Sequence, residues 1–302
     1  YRHDFIKEYW DYVFEYFISE HKKNRTPNPD ILCNKYVKFA GFQDVAKELG
    51  ADFFAYGHYA RKKEANGEYF LLKGLDENKD QSYFLSQLSQ EQLKFSLFPV
   101  GELKKSEVRK IAIENNIPTA TKKDSTGICF IGERDFKNFL KNYIFAKPGE
   151  IQTLSGETLG KHDGLMYYTI GQRKGLNIGG DNRFKNAPWF VIGKDIEQNV
   201  LLVGQGLNNP YLFANRAIIE DVNWIGNNKF SGTIEVSAKF RYRQKDNQVL
   251  IKWLDEFTLE VITNKPIRAM TPGQAAVFYE KDVCLGGGTI KEVYQNNQKM
   301  RY

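Results

Sequence analysis

Cys33 and Cys129 are the residues of this sequence best suited to chemistry, because each stands in a short polar segment rich in turn-forming residues. Before Cys33, Pro27 and Pro29 fix φ and disfavour helix at the residue that precedes each of them, which predicts a stiff extended turn. Asp30 follows directly, so a carboxylate and a thiol would be held in register, as a base and a nucleophile must be. A structural role as small buried side chains is the alternative for each cysteine.

The segment around Cys129 has the same character. The residues before it that favour a turn are Asp124, Ser125 and Thr126, and Gly127 permits an unusual φ just before the thiol. Two cysteines in such loops favour chemistry over packing. Cys284 instead stands within a strand pattern, just before three consecutive glycines, and is predicted to be structural.

Length and composition bound the class of protein. The chain has 302 residues, 41% of them hydrophobic, which is enough for a core in two or three domains. Three cysteines do not make a disulfide scaffold, no apolar run is long enough to span a membrane, and the first residues do not resemble a signal peptide. We therefore expect a cytoplasmic protein. A net charge of +6 suits a nucleic-acid partner and equally a soluble enzyme with a basic surface. The four scattered histidines, without a Cys-x-x-Cys pair, predict no metal site.

The elements predicted around the first cysteine are helices followed by a strand. Apolar residues at spacings of three and four predict helices over 4–22 and 35–49, and the apolar run 52–56 predicts a buried strand. This order is typical of an open parallel α/β sheet, in which ligands bind beyond the carboxyl ends of the strands. Gly57 and His58 follow the strand and therefore lie at that edge. For His58, a hydrogen-bonded histidine at a strand end is an equally good interpretation.

A polar hairpin and two further helices are predicted next. Residues 61–75 predict a hairpin with Asn66-Gly67 as a type I′ turn. A helix begins after residue 78, and by spacing alone its ordinary first-turn residues are Lys79, Asp80 and Gln81. Another helix is predicted over 104–115, with an inner face made of Val108, Ile111 and Ala112.

Short strands separated by glycines dominate the chain after about residue 149. They predict a small, mostly-β region up to about residue 210 and then, from five or six alternating strands, a small β-barrel. The glycine-rich basic stretch 168–180 is not a Walker loop, because its glycine spacing differs and no Lys-Ser/Thr follows. Contact with nucleic acid and a plain cluster of turns are both open for it. Arg241 and Tyr242 follow a barrel strand and could stack on a base or hold phosphates.

Together the motifs resemble the bacterial and organellar tRNA-specific 2-thiouridylases, which replace the C2 oxygen of the wobble uridine with sulfur. The resemblance covers nearly all of the chain. The motifs that carry it are, in order, Thr-Pro-Asn-Pro-Asp-Ile-Leu-Cys-Asn-Lys at 26–35, Gly-His-Tyr at 57–59, Asn-Lys-Asp-Gln-Ser-Tyr-Phe at 78–84, Lys-Lys-Asp-Ser-Thr-Gly-Ile-Cys-Phe-Ile-Gly-Glu at 122–133, Gly-Leu-Met-Tyr-Tyr-Thr-Ile-Gly-Gln-Arg at 164–173, Phe-Arg-Tyr-Arg-Gln at 240–244, Thr-Pro-Gly-Gln-Ala at 271–275 and Val-Cys-Leu-Gly-Gly-Gly at 283–288.

The resemblance implies an α/β fold followed by β domains. A partial open α/β catalytic domain of the adenine nucleotide alpha hydrolase (PP-loop) type would occupy 1–133, a small, mostly-β tRNA-binding domain 134–212, and a C-terminal β-barrel 213–302. Members of this family open with a nucleotide-binding strand and a Ser-Gly-Gly-Val-Asp-Ser pyrophosphate loop, which this sequence lacks. We therefore expect that the main ATP-binding loop is absent from this chain, and that the chain does not hydrolyse ATP by itself.

The resemblance also implies an ATP-dependent sulfurtransferase acting on the wobble uridine, U34. Cys129 would carry the sulfur as a persulfide, Cys33 would be the partner nucleophile, and Asp30 the general acid/base. Cys33 would either release sulfide from the persulfide or close a disulfide with Cys129. Gly57 and His58 would lie against ATP. The residues implied to contact tRNA are Asn28, Pro29, Asp30, Lys79, Asp80, Gln81, Arg241, Tyr242 and Gln274. The implied partners are the anticodon stem-loop of tRNA and an upstream persulfide donor or relay protein, with no membrane.

Two other classes of function stay open on the sequence. An amide-forming adenylating ligase would use the same nucleotide-binding fold but would not need Cys33 and Cys129 together. A non-catalytic RNA-binding protein would use the barrel and its basic strand end, with both cysteines packed and slow to react with alkylating reagents.

Overall fold

Two long helical segments begin the chain. The computed structural model describes residues 2–122, 136–179, 187–226 and 232–302. The first helix (6–22) consists of Ile6–Tyr9, a wider π-helical stretch Trp10–Phe14, and Glu15–Lys22. The second helix (29–48) consists of Pro29–Leu32, the π-helical stretch Cys33–Gly41, and Phe42–Glu48. The aromatic spacing of the first helix buries Val13, Phe14 and Phe17, as an amphipathic pattern predicts.

The second helix begins earlier than the sequence predicts. The proline pair suggests an extended turn up to Cys33, but the helix starts at Pro29. Proline is well tolerated at the first helical position, because the N–H that it lacks has no partner within the helix there. Asp30 and Cys33 therefore stand on the opening turns of a helix rather than after a rigid extended segment. The predicted extended turn is confined to the residues before Pro29.

Four short strands belong to the N-terminal region. They are β1 (Phe54–Ala55), β2 (Ala60–Ala65), β3 (Glu68–Lys73) and β4 (Ser96–Leu97). β1 and β4 form a parallel pair, whereas β2 and β3 form the predicted hairpin, with positive φ at Asn66 and Gly67. The predicted buried strand over 52–56 is wrong in extent, because only two residues are strand and Phe53 is 56% exposed.

Three further helices lie in this region. They are the 3-10 turn Ser82–Leu85 and the α-helices Gln90–Phe95 and Lys105–Glu114. The last was predicted to pack through Val108, Ile111 and Ala112, but it contains no buried residue and Ile111 is 46% exposed. Its apolar stripe therefore lies on the surface of the described chain.

The central region is a helix and a four-stranded sheet. The helix is Phe136–Lys141, a 3-10 turn covers Leu165–Tyr167, and the strands are β5 (Gly149–Gln152), β6 (Thr158–His162), β7 (Trp189–Asp195) and β8 (Val200–Gln205). The strand order is β6-β5-β8-β7, with β5 parallel to β8. Phe14 and Phe17 of the first helix pack into the core of this sheet with Ile151, Val191 and Leu201. The first helix thus joins the N-terminal and central regions.

Six strands close into a barrel after a 3-10 turn at Pro210–Leu212. They are β9 (Phe213–Trp224), β10 (Thr233–Lys239), β11 (Asn247–Trp253), β12 (Leu259–Arg268), β13 (Ala275–Glu280) and β14 (Val283–Gln295), and the short β15 (Gln298–Lys299) pairs with β14. The order is β13-β10-β11-β12-β9-β14, and β13 also pairs with β14, which closes the barrel. The barrel predicted from alternating strands is therefore confirmed.

The N-terminal hairpin continues the sheet of the barrel. Leu71 and Leu72 of β3 pair with Cys284 and Val283 of β14. Tyr83, Leu85 and Leu88 of the N-terminal region share one apolar cluster with Val277, Tyr279 and Cys284 of the barrel. This contact, which we call the sheet seam, makes one continuous structure of the first and last parts of the chain. Within the described residues, no helix is both long enough and apolar enough to cross a membrane.

Candidate functional site

Asp30 and Cys33 lie one turn apart on the second helix, so their side chains share a face of it. Cys33 is 9% exposed and packs against Val13 and Val37. Burial raises the pKa of Asp30, and the positive charge of Lys38 partly opposes that shift. A carboxyl whose pKa is raised holds its proton closer to neutral pH, which suits a general acid/base. Cys129 lies outside the described residues, so its position relative to Cys33 stays a prediction.

An open cleft of about 430 Å³ lies at the carboxyl end of β1, where the sequence predicts a ligand. Its walls are formed by Lys38, Phe42, Phe54, Ala55, Tyr56, Gly57, His58 and Gln81. A Cβ added to Gly57 would meet no atom of the described chain within 4 Å, so a ligand can approach the backbone there. Gln81 closes one wall, because its Oε1 accepts a hydrogen bond from the Tyr59 N–H at 3.0 Å.

His58 is held neutral at the edge of this cleft. Burial lowers its pKa to about 4, and the positive charge of Lys38 acts in the same direction. Its buried Nδ1 has no hydrogen-bond partner among the described residues. For the alternative interpretation, a hydrogen-bonded histidine at a strand end, Nδ1 supplies no such bond among the described residues. The unpaired Nδ1 is buried, so it is not exposed to the space of the cleft in this structure.

Lys38 is the functional candidate that sequence reasoning missed. Its side chain lines the cleft, and its charge acts on the pKa of both Asp30 and His58. Its backbone carbonyl accepts a hydrogen bond from the Tyr56 hydroxyl at 2.8 Å, which ties the second helix to the cleft. The available signal was a basic residue on the same helix as Asp30. Helical spacing alone did not separate it from other surface lysines.

The segment before Pro29 is anchored on the barrel. Gln274 donates from Nε2 to the Thr26 carbonyl at 2.7 Å. The Asn28 side chain hydrogen-bonds to the Tyr83 hydroxyl, which itself donates to the Ala275 carbonyl at 2.9 Å. Asn28 also lines a cavity of about 550 Å³ between the N-terminal helices and the barrel. Asn28, Pro29 and Gln274 are thus brought together next to Asp30.

Lys79, Asp80 and Gln81 diverge although they are consecutive. Asp80 is buried, and its Oδ1 accepts from the Gly74 and Ser82 amides at 3.1 and 3.0 Å. Its Oδ2 pairs with Lys239 at 3.2 Å. The polar atoms of Asp80 are therefore engaged inside the protein. Gln81 faces the cleft, and the charge of Lys79 acts on Tyr242.

Arg241 and Tyr242 follow β10, as predicted, but point differently. Arg241 donates from Nη2 to the Ile170 carbonyl and to the Thr271 hydroxyl, both at 2.8 Å. Burial lowers the pKa of Arg241, and the neighbouring charge of Arg268 adds to the shift. The Tyr242 ring lies 4.4 Å from the Phe84 ring and 5.4 Å from the Arg243 guanidinium, measured from ring centroids. A partly open aromatic ring beside an exposed arginine suits stacking against a nucleobase.

The described ranges contain no group of three or more His, Cys, Asp or Glu residues placed to hold a metal ion.

Three family models match consecutive parts of the chain. They are described as the tRNA methyl transferase HUP domain at residues 1–133, the tRNA methyl transferase PRC-barrel domain at 137–205, and the Aminomethyltransferase beta-barrel domain at 215–290. A nucleotide-binding α/β domain, a small β domain and a closed barrel confirm the predicted fold class.

Curated relatives match almost the entire chain. The tRNA-specific 2-thiouridylases MnmA of Bacillus cytotoxicus, Bacillus cereus and Bacillus thuringiensis are each 55% identical to it over 299 residues. The alignment covers 99% of this chain and 80% of each relative.

Proposed function

The chain belongs to the tRNA-specific 2-thiouridylase family, and we propose that it transfers sulfur to C2 of the wobble uridine U34 in an ATP-dependent reaction. The observation that carries the proposal is the 55% identity over 99% of the chain to relatives of that name. The geometry supports the proposal, since an acid/base candidate and a thiol share one helical turn, and Lys38 and Phe42 of the same helix line an open cleft.

The cleft at Gly57 and His58 is our candidate for the adenine nucleotide. Phe42 and Phe54 offer apolar walls for a purine, and the open face of Gly57 admits close approach to the backbone. His58 is neutral at pH 7, so it adds no positive charge to this wall of the cleft. ATP, when bound, would supply the adenylyl group that makes the uridine C2 oxygen a leaving group. The cationic Lys38 lines this cleft and would favour a phosphate there.

Asp30 would act as the general acid/base toward the target base. Burial raises the pKa of its carboxyl, which favours the protonated form that a general acid needs, and the helix fixes its direction. Asn28 and Pro29 precede it directly and would hold the base against it, while Gln81 borders the cleft from the other side.

The two thiols would complete the transfer. The terminal sulfur of the Cys129 persulfide attacks C2, and the C2–O bond breaks as AMP leaves with the original oxygen. The Cys33 thiolate then attacks the Sγ of Cys129, which breaks the S–S bond and leaves the sulfur on the base as 2-thiouridine. This step forms a Cys33–Cys129 disulfide, which an external dithiol reduces. The low exposure of Cys33 shields its thiol from competing oxidants in solution.

The anticodon stem-loop of tRNA is the proposed substrate surface, and an upstream persulfide protein is the proposed sulfur source. Lys79 and Tyr242 lie near each other beside the exposed Arg243, and together they offer charge and a stacking ring to RNA. For Asp80, Arg241 and Gln274, which were also predicted to contact tRNA, the hydrogen bonds within the protein favour an indirect contribution. We place the reaction in the cytoplasm.

The test is sulfur transfer by the complete protein as the cell makes it. The protein is incubated with ATP, a persulfide donor, a dithiol and unmodified tRNA, and the digested RNA is analysed for 2-thiouridine by mass spectrometry. We expect product from the wild type and none from Cys33→Ala or Cys129→Ala. Full product from both variants would refute the thiol mechanism. No product from the wild type, with tRNA still bound, would favour a non-catalytic RNA-binding role.

A further inference from the structure

Three segments from the three regions of the chain meet at one polar contact, which we call the junction: 26–27 of the N-terminal region, 169–170 of the central region, and 271–274 of the barrel. The Thr26 N–H donates to the Pro272 carbonyl at 3.2 Å, and the Thr26 hydroxyl lies 3.1 Å from the Thr169 hydroxyl. The Thr26 carbonyl accepts a hydrogen bond from Gln274. The N–H, the hydroxyl and the carbonyl of Thr26 thus all bond to residues of another region.

Gln274 is itself fixed on the barrel. Its N–H donates to the Thr271 carbonyl at 3.1 Å, and its carbonyl accepts from the Ile290 N–H at 2.8 Å. Its Nε2 reaches the carbonyls of Thr26 and Pro27 at 2.7 and 3.4 Å. Because the backbone of Gln274 is fixed in the barrel, its side chain sets where the bound 26–27 segment lies relative to the barrel.

Close backbone packing strengthens this contact. Gly273 has a φ of +90°, and a Cβ added to it would lie 3.0 Å from the backbone carbonyl carbon and oxygen of Thr26. The barrel loop and the 26–27 segment therefore approach each other so closely that a side chain at position 273 would crowd the Thr26 backbone. Glycine meets both requirements, the positive φ and the absence of a side chain.

Arg241 connects the other two segments. Its Nη2 bonds the Ile170 carbonyl and the Thr271 hydroxyl, which are neighbours of Thr169 and Pro272 in the chain. Arg241 directly precedes Tyr242, the ring proposed above for RNA. Hydrogen bonds and adjoining backbone therefore connect Arg241, the residue before that ring, with the 26–27 segment that precedes the second helix.

Resting on the sulfur transfer proposed above, we infer that Gln274 and Arg241 are positioning residues that hold the 26–27 segment, and thereby the helical turn bearing Asp30 and Cys33, in its reactive place. Neither residue needs to touch RNA for this role. A displacement of about 1 Å at reacting groups can lower a rate by about a hundredfold. Because the junction sets the position of the reacting groups, it acts on the rate of sulfur transfer rather than on RNA affinity.

The experiment separates positioning from RNA contact by comparing Gln274→Leu with Gln90→Leu in the complete protein. Gln90 is a matched control, because its Nε2 also joins the two regions, bonding the Ile225 carbonyl of the barrel at 2.7 Å, away from the 26–33 segment. The measurements are tRNA affinity, the single-turnover rate of 2-thiouridine formation at saturating tRNA, and the alkylation rate of Cys33 without RNA, located by peptide mass spectrometry. Thermal unfolding reports the folded fraction.

We expect Gln274→Leu to lower the single-turnover rate at least about tenfold with tRNA affinity unchanged, and to raise the alkylation rate of Cys33 several-fold. Gln90→Leu should leave all three quantities unchanged per folded molecule. Thr271→Val removes a hydroxyl bonded to Arg241, changes no group proposed to touch RNA, and should act like Gln274→Leu to a smaller degree.

Three results would overturn the inference. These are weaker tRNA binding with a normal rate at saturation, which indicates direct RNA contact; wild-type behaviour of Gln274→Leu in both rate and alkylation; and equal effects of Gln90→Leu. If the wild type forms no 2-thiouridine, the proposed function fails, while the alkylation of Cys33 still decides whether Gln274 holds the turn.

Discussion

The sheet seam and the junction join the same N-terminal region to the rest of the molecule by different physical means. The seam combines strand pairing between β3 and β14 with a buried apolar cluster around Leu71, Tyr83 and Cys284. The junction is made of single hydrogen bonds around Thr26. Apolar burial is non-directional and contributes much free energy, whereas a hydrogen bond contributes little net energy but has strict geometry.

The two cysteines in the described part of the chain, Cys33 and Cys284, follow this division. Cys284 is buried in the seam, and burial raises its pKa far above the ordinary thiol range. Cys33 is nearly as buried but lies on an opening helical turn, with the junction just before it. Burial alone therefore does not separate Cys284, predicted to be structural, from Cys33, the proposed nucleophile. The type of contact next to each thiol differs between them. Substitutions at the seam should therefore change the stability of the fold, and substitutions at the junction should change the rate of 2-thiouridine formation.

The largest stability effect is expected at Asp80, which binds two backbone amides and Lys239 beneath the seam. Asp80→Ala leaves those amides without their acceptor and deprives Lys239 of its nearest carboxylate. We expect the free energy of unfolding in urea to fall by about 4 kcal/mol. If Asp80 acts through structure, tRNA affinity per folded molecule stays at the wild-type value. A selective loss of tRNA affinity with normal stability would instead assign Asp80 to RNA contact.

A slightly smaller loss is expected from the apolar part of the seam. Leu71 is fully buried where β3 pairs with β14. Leu71→Ala should lower the free energy of unfolding by about 3 kcal/mol, because transfer energy is lost and a cavity remains. The rate of 2-thiouridine formation per folded molecule should not change. The exposed Leu75 is the control, and Leu75→Ala should cost well under about 1 kcal/mol.

Local patterns predicted much of this fold. The hairpin turn at Asn66-Gly67 follows from residue types that tolerate positive φ, and the barrel strands follow from alternation. The seam could not be predicted in this way, because Leu71 and Cys284 are distant in sequence and no local period encodes their pairing. The start of the second helix was also missed, since proline disfavours a preceding helix but is accepted as a first helical residue.

The candidate site, like the fold, was predicted only as far as local sequence determines it. Motifs identified Asp30, Cys33 and His58, but they did not show that Asp80 faces inward while Gln81 borders the cleft. Side-chain direction in a tight turn depends on partners such as Gly74 and Lys239, which local sequence does not reveal. The positions of Asn28 and Gln274 relative to each other follow only from the folding of the barrel against the first region.

A pH-dependent effect is expected on the side of the molecule that carries the junction. His21 is buried between the first helix and the central region, and burial lowers its pKa to about 4. Between about pH 6.5 and pH 4 the unfolded chain binds a proton that the folded His21 does not. Stability contributed by neutral His21 is therefore present above that range and is lost as the pH falls through it, by roughly 2 to 3 kcal/mol.

His21→Asn should flatten this part of the stability profile. Asparagine keeps a donor toward the Met166 carbonyl but does not titrate. Urea unfolding at pH 7, 6, 5 and 4 should show a smaller fall for the variant than for the wild type. Parallel curves would show that His21 contributes no proton linkage.

The smallest stability effect, with a clear effect on rate, is expected from the hydroxyl pair of Thr26 and Thr169. Thr26→Val or Thr169→Val alone leaves the other, partly buried hydroxyl without its hydrogen-bond partner. Each should lower the free energy of unfolding by about 1 kcal/mol and the thiolation rate several-fold. The double variant places two apolar groups of the same shape in contact. It should therefore be more stable than either single variant and should regain part of the rate, since the 26–27 segment again has a partner. If the single and double variants keep the wild-type rate, this hydroxyl pair does not position the helical turn. If the losses of stability and rate in the double variant are strictly additive, the two hydroxyls act independently.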